Sequence, residues 1–333
     1  METLLQITPV LTEILNCAIK APSGHNTQPW RFVVHNEKSI TIHPDFTRAL
    51  PVVDADHHEL YISLGCALEN LLIAAHHYGY YADVSCEKDA LQQTFIRVDL
   101  LESDAVPQDP LFAYIPLRQS TRNEYEDMQI PSRDLAQLQN CFHFSDVGLH
   151  MFTSPNAMAE VVPFVMEGIK RQFENPQFID ELVSWFRFSE SEAEECKDGL
   201  QMDVMGLPNM GKWIGKVVMK NFVSAESESR RWKELLHRSA GLALFTAQEN
   251  TAENWIRVGR AFQRFALTAT KLRISYAHVN MPCEEADVRD ALRAHFRLEG
   301  IPMLLIRIGY SERMSYSLRR PLEDVVDVVL PDE

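Results

Sequence analysis

Pro22-Ser-Gly-His-Asn-Thr-Gln-Pro-Trp-Arg-Phe32 is the stretch that decides how the rest of the chain is read. Two prolines stiffen a turn-rich run that carries a hydroxyl, two amides and free backbone N–H groups. Such a loop can hydrogen-bond a polar heterocycle or a phosphate without adding charge. Equally, it can satisfy its own backbone while Trp30 and Phe32 enter the core. Before it, apolar side chains at helical spacing over 8–20 predict a helix ending ahead of Ala21-Pro22. After it come two β-type runs, Trp30–His35 and Ser39–His43, then a long helix from about His58 to Tyr78 with Asp54 or Asp56 as N-cap and Gly79 as C-cap. Strands at Ala82–Cys86 and Phe95–Leu101 complete a first half.

The polar segment Glu102–Pro116 holds three prolines and reads as a linker. Beyond it, Ser132 is expected to cap a helix reaching about Cys141, followed by a strand at Gly148–Phe152. The run from Pro155 to about His237 is mostly helical, interrupted by Gly206-Leu-Pro-Asn-Met-Gly211. A strand at Gly241–Ala247, a helix over Thr251–Arg273, a buried strand at Pro302–Gly309 and an extended acidic tail follow. The long helices echo each other. ISLGCALENLLIAAHHYGYYA at 62–82 lies over IRVGRAFQRFALTATKLRISYA at 256–277, bringing Gly65 onto Gly259, and each helix precedes a strand reading Phe-Ile-Arg-Val or Leu-Ile-Arg-Ile. Any two amphipathic helices align to some degree; duplication of an α+β unit is the sharper reading.

With 333 residues, 46% of them hydrophobic and only 13 Gly and 17 Pro, the chain can bury a core without staples. The formal charge of −15 argues against nucleic acid and anionic lipid, which need a basic footprint. No stretch has the apolar length of a membrane span. The amino-terminal METLLQITPVLTEIL is amphipathic and lacks the basic start of a secretory signal, and the six scattered cysteines form no CxxC pair, so a cytoplasmic location with reduced thiols is expected. Asp54-Ala-Asp-His-His-Glu59 resembles a metal cluster on paper, but an acidic N-cap and first turn explain it better, and no metal is expected.

Two further segments carry paired guanidiniums in this acidic chain: Arg118-Gln-Ser-Thr-Arg-Asn123 and Arg319-Arg320-Pro321. Two arginines around a hydroxyl make a compact anion site, or a solvated basic helix end paired with Glu124 or Glu126. Taken with the opening stretch, they resemble the FMN-dependent nitroreductase superfamily. Its R-x-S-x-[RK] element is matched by Arg118, Ser120 and Arg122, and its P-S-x-x-N-x-Q-P-W-x-F element by Pro22, Ser23, Asn26, Gln28, Pro29, Trp30 and Phe32.

The resemblance implies an α+β, nitroreductase-like fold and an FMN site. Arg118 and Ser120 would hold the phosphate, Arg122 the N1–C2 edge of the ring, and Arg319 or Arg320 a second phosphate contact. Pro22, Ser23, Gly24, Asn26 and Gln28 would form the flavin-facing loop. The flavin itself would do the chemistry with no catalytic side chain, taking a hydride from NAD(P)H as a transient donor and reducing a small acceptor such as a nitro or quinone compound. In the family the two elements come in the opposite order and one helix apart; here each half keeps only one. That layout resembles the Acg-like branch and implies an internal pseudo-dimer of residues 1–105 and 109–333, monomeric or weakly dimeric, holding one FMN. The helical insertion at about 165–235 would be a lid. The alternative is an FMN-storing or sequestering protein whose lid keeps NAD(P)H away.

Overall fold

The computed structural model describes residues 7–103 and 105–329. Leu5 of the amphipathic amino-terminal run and the last residues of the acidic tail lie outside them. Helix α1 (Pro9–Ala18) starts where the Thr8 hydroxyl accepts from Leu11 N, and it buries Leu11, Ile14, Leu15 and Ala18. Strands β1 (Trp30–Asn36) and β2 (Ser39–Pro44) form an antiparallel hairpin whose Trp30, Phe32 and Val34 point into the core. Helix α2 (His58–His77) is capped from a distance: the Asp54 carboxylate accepts from Glu59 N at 3.0 Å and Leu60 N at 2.9 Å. Gly79, at φ +84°, ends it in the left-handed region that glycine adopts cheaply. Strands β3 (Tyr80–Lys88) and β4 (Thr94–Glu102) follow and pair with each other, and β4 also pairs with β2.

The second half opens with α3 (Ser132–Gln139), for which Pro131, not Ser132, occupies the cap position. Strand β5 (Val147–Phe152) leads into an excursion: α4 (Pro155–Glu174), α5 (Pro176–Trp185), β6 (Phe186–Arg187), α6 (Glu190–Cys196), β7 (Leu200–Gln201), α7 (Lys212–Phe222) and α8 (Ala225–His237). The chain then returns through β8 (Gly241–Ala247), α9 (Ala252–Lys271), β9 (Ser275–His278), α10 (Met281–Glu284), α11 (Ala286–His295) and β10 (Ile301–Gly309). Last comes β11 (Val326–Val328).

The sheets run β11-β1-β2-β4-β3 and β5-β8-β10-β9. Apart from β11, which crosses over to lie parallel to β1, the two sheets trace one path: an antiparallel pair, a long helix, then an edge strand and the strand that fills the gap. In the first sheet a two-residue turn joins β1 to β2; in the second, the whole excursion 153–240 stands at that point. The excursion between β5 and β8 is therefore wider than the 165–235 that the resemblance implies for the insertion, because its first helix starts directly after β5.

Helices α2 and α9 cross through their glycines. A Cβ on Gly65 would lie 2.0 Å from Ile256 O, and one on Gly259 would lie 2.0 Å from Ile62 O, so each glycine admits the other helix's backbone. Cys66 Sγ donates to Gly259 O at 3.3 Å, and Gln263 Nε2 to Asn70 Oδ1 at 2.6 Å. Glu69 pairs with both Arg260 and Arg264 at 2.8 Å. The segment read as a linker is docked on this crossing: Leu111 and Ile115 are buried against Ile73 and Leu267.

Candidate functional site

The loop before β1 is held in a conformation that its residues do not favour. His25, Asn26 and Gln28 have φ of 47°, 56° and 54°, and such positions persist only where surroundings over-determine them. Here Ser23 Oγ accepts from Gln28 N at 2.9 Å. Asn26 Nδ2 donates to Gly199 O and Leu318 O, both at 3.2 Å, and its Oδ1 accepts from Arg319 at 2.9 Å. Gln28 Nε2 donates to Lys197 O at 2.9 Å, while its Oε1 accepts from Arg320 N at 2.8 Å. The side chains of Asn26 and Gln28 thus clasp the loop to the insertion and to the carboxy-terminal strap. Pro22, Ser23, Gly24 and His25 remain on a cavity wall.

Beside the loop lie buried cations. Arg118 donates to Tyr276 Oη at 2.7 Å and Lys20 O at 3.2 Å, and its Nε has no partner. Arg319 donates to Asn26, Ser317 O and Leu318 O, and its Nε is likewise unpartnered. Burial and the neighbouring Arg118 and Arg122 charges lower Arg319 to about 9. Burial also lowers Arg122 to about 10, with Arg118 and Arg231 acting in the same direction against Tyr276 and Tyr125. Among the described residues none of the three arginines makes an ion pair. In a chain with 47 acidic residues, three neighbouring guanidiniums without a carboxylate partner offer the donors that an anion requires. Ser120 sits between Arg118 and Arg122, half-buried, with no side-chain hydrogen bond among the described residues. Arg320 is separate: its guanidinium donates to Asp324 O at 2.7 Å and its charged neighbours are Arg48, Asp324, Asp45 and Asp198. Of the two arginines read as alternatives for a second contact, Arg319 lies with Arg118 and Arg122, and Arg320 lies apart from them.

The cavity measures about 750 Å³, within the range of pockets that take cofactor-sized ligands. Its floor is loop 22–25, Ile62, Ser63 and Cys66 of α2, Phe262 of α9, and Ala277 and His278 of β9, with Arg122 at one side. The segment between β5 and β8 contributes Phe186, Phe188, Leu200, Met202, Met205 and Met219 to its lining. Burial, with the Arg122 charge, lowers His25 to about 4; burial with Arg122 and Arg118 lowers His278 to about 3, so both imidazoles are neutral at pH 7.

The acidic and imidazole groups of the DADHHE run are engaged within the fold. Ligand atoms of Asp54, Asp56 and His58 lie within 4.8 Å of one another, but they are already compensated. Asp54 caps α2, and Asp56 pairs with Arg289 at 3.1 Å. His58 stands between the two aspartates; burial alone would lower it, yet hydrogen bonds to Asp54 and Asp56 raise it to about 10. The residue that sequence reasoning missed is Glu59, which lines the cavity with Glu284, Asn280 and Gln172. An acidic residue on the buried side of an otherwise apolar helix was the available signal.

Burial pushes the Cys17 thiol up to about 11 and Cys141 up to about 12, and it raises Cys66, Cys86 and Cys283. Among the described residues no helix is long and apolar enough to cross a membrane.

Residues 8–54, which contain the loop and the β1–β2 hairpin, match the model of the Nitroreductase family. The chain is 27% identical over 327 residues to a Mycobacterium tuberculosis protein provisionally named an NAD(P)H nitroreductase, spanning 94% of this chain and 90% of that one. It is 23% identical over 318 residues to a Serratia protein of similar provisional name, spanning 90% and 88%. Among solved structures, an FMN-dependent nitroreductase from Mycobacterium smegmatis in complex with NADPH aligns at 12% identity over 63% of this chain and 94% of that one, with a TM-score of 0.40.

Proposed function

We propose that this chain is an FMN-dependent oxidoreductase with a nitroreductase-like fold, built as an internal pseudo-dimer and holding one FMN. The observation that carries the reading is the trio Arg118, Arg122 and Arg319 beside the loop Pro22–His25, with no acid paired to any of them among the described residues and with a buried, unpartnered Nε on Arg118 and on Arg319. Arg118 and Arg319 hold the phosphate with charge-assisted bonds, and the Ser120 hydroxyl adds a donor. Arg122, at the cavity wall, supplies positive charge to the electron-rich edge of the ring. Bound there, FMN supplies two-electron redox chemistry at its N5; the chain supplies orientation, a water-poor cavity and charge. No dinucleotide-binding GxGxxG occurs in the sequence, so NAD(P)H acts as a transient donor from the same cavity, and a small planar acceptor takes its place.

The pseudo-dimer reading draws support from the reciprocal glycine contacts of α2 and α9, from the shared strand path of the two sheets, and from each half carrying one of the two flavin elements. It makes residues 1–105 and 109–333 the two protomer equivalents and the chain functionally a monomer. The insertion acts as the lid. One set of contacts favours the rival reading of a sequestering protein: Asn26 and Gln28 bond to Gly199 and Lys197, and Arg48 pairs with Asp198, pinning the insertion onto the flavin loop.

Purified protein is expected to be yellow. Anaerobic mixing with NADH or NADPH then separates the readings: bleaching supports the oxidoreductase, and a bound flavin that stays oxidised supports sequestration. A colourless protein that takes up no added FMN would refute both.

A further inference from the structure

Resting on the reading that the cavity holds FMN beside loop 22–25, we propose that the neighbouring cavity-wall carboxyls Glu59 and Glu284 are the proton donor to the acceptor. Glu59, in the first turn of α2, is half-buried; its Oε1 accepts from Asn280 Nδ2. Its Oε2 lies 2.9 Å from where a Gly24 Cβ would stand, so the carboxyl packs directly on the flavin-facing loop. Glu284, at the end of α10, hydrogen-bonds Glu59 and accepts from Gln172 Nε2 of α4. All four side chains line the cavity.

Two adjacent carboxylates on one cavity wall repel, which favours a proton held on the pair. The charged and titratable neighbours agree. Burial and the Asp54 charge raise Glu59, burial and Glu59 raise Glu284, and His58 opposes both from α2. On the remaining sides, Cys283 precedes Glu284 in α10 and Arg289 of α11 is engaged by Asp56. The other carboxylates on the cavity wall are committed elsewhere: Glu124 pairs with Arg238, Glu228 with Arg231, and Glu234 is exposed.

Phe186, Phe188, Met202, Met205 and Phe262 make a large apolar share of the remaining wall. That share favours a planar hydrophobic acceptor and limits water beside it, which makes a proton donor on the wall useful. The balance closes for a quinone. Reduction to the hydroquinone takes one hydride from reduced FMN and one proton; the carboxyl O–H breaks, an O–H forms on the quinone, and water reprotonates the pair after product leaves.

The test uses holoprotein whose flavin is reduced with dithionite, mixed rapidly with 1,4-naphthoquinone or with ferricyanide, which takes electrons but no proton. Glu284→Gln, with wild-type flavin content, is expected to slow naphthoquinone reoxidation at least tenfold, general-acid contributions being typically about 10²–10⁴-fold, and to leave ferricyanide reoxidation unchanged. Infrared spectra, which need no turnover, are expected to show a protonated carboxyl at pH 7 that vanishes in Glu59→Gln/Glu284→Gln. Wild-type naphthoquinone rates in Glu284→Gln, equal slowing with both oxidants, or absence of the infrared band would each overturn the proposal. Wild-type protein that binds no FMN yet keeps the band contradicts the flavin reading, and the donor role with it.

Discussion

Arg118 and Arg319 are buried guanidiniums with an unpartnered Nε and no acid among the described residues. A charge-assisted hydrogen bond is worth about 1.5–3 kcal/mol, so Arg118→Ala is expected to weaken FMN retention roughly 10- to 150-fold, measured by fluorescence on dilution. Arg320→Ala, whose guanidinium lies in the other cluster, is expected to change it less than roughly threefold; equal losses would show that all four arginines share the phosphate. His58 makes a pH prediction. Its folded pKa of about 10 lies above the ordinary histidine value, so its contribution is fully present below the unfolded pKa and is lost as pH rises from about 6.5 through 10. Glu59 and Glu284, raised in the fold, act with the same sign. Urea midpoints should fall over that window, and His58→Gln should be weaker at pH 6 with a shallower decline. The arginines were legible in the sequence because basic pairs are rare in a chain of charge −15. The clasping roles of Asn26 and Gln28 were not, since their partners at 197–199 and 318–320 are brought to the loop only by the fold.

At the scale of elements, the molecule turns on α2 and α9. Gly65 and Gly259 each leave space that the other helix's backbone fills. Gly65→Ala places a Cβ against a carbonyl that cannot yield without separating the helices, and overpacking of this kind is expected to cost about 3 kcal/mol or more. The check is a fall in Tm far exceeding that of Gly211→Ala, where a Cβ meets nothing within 4 Å. The matched glycines were readable because close helix packing leaves a small-residue signature at a fixed offset. The 102–116 segment was misread as a linker because polarity and prolines do not show that Leu111 and Ile115 anchor it beneath both helices. Short pieces such as β6, β7 and β11 leave no periodicity to read; β11 exists because Phe32, Val33 and Val34 offer it an edge.

For the whole molecule, the insertion 153–240 emerges where the first sheet has a two-residue turn, and it returns over the cavity. If it is the lid, saturating FMN should slow limited proteolysis around Gly206–Gly211; identical cleavage with and without FMN would place the insertion outside the site's energetics. The most direct test of the account is the number of flavins per chain, counted by absorbance after release from protein of known molar mass in solution. The account predicts one FMN per 333-residue chain, in particles containing a single chain. Two FMN per chain, or one FMN shared between two chains, would contradict a flavin site assembled within one chain from its two halves.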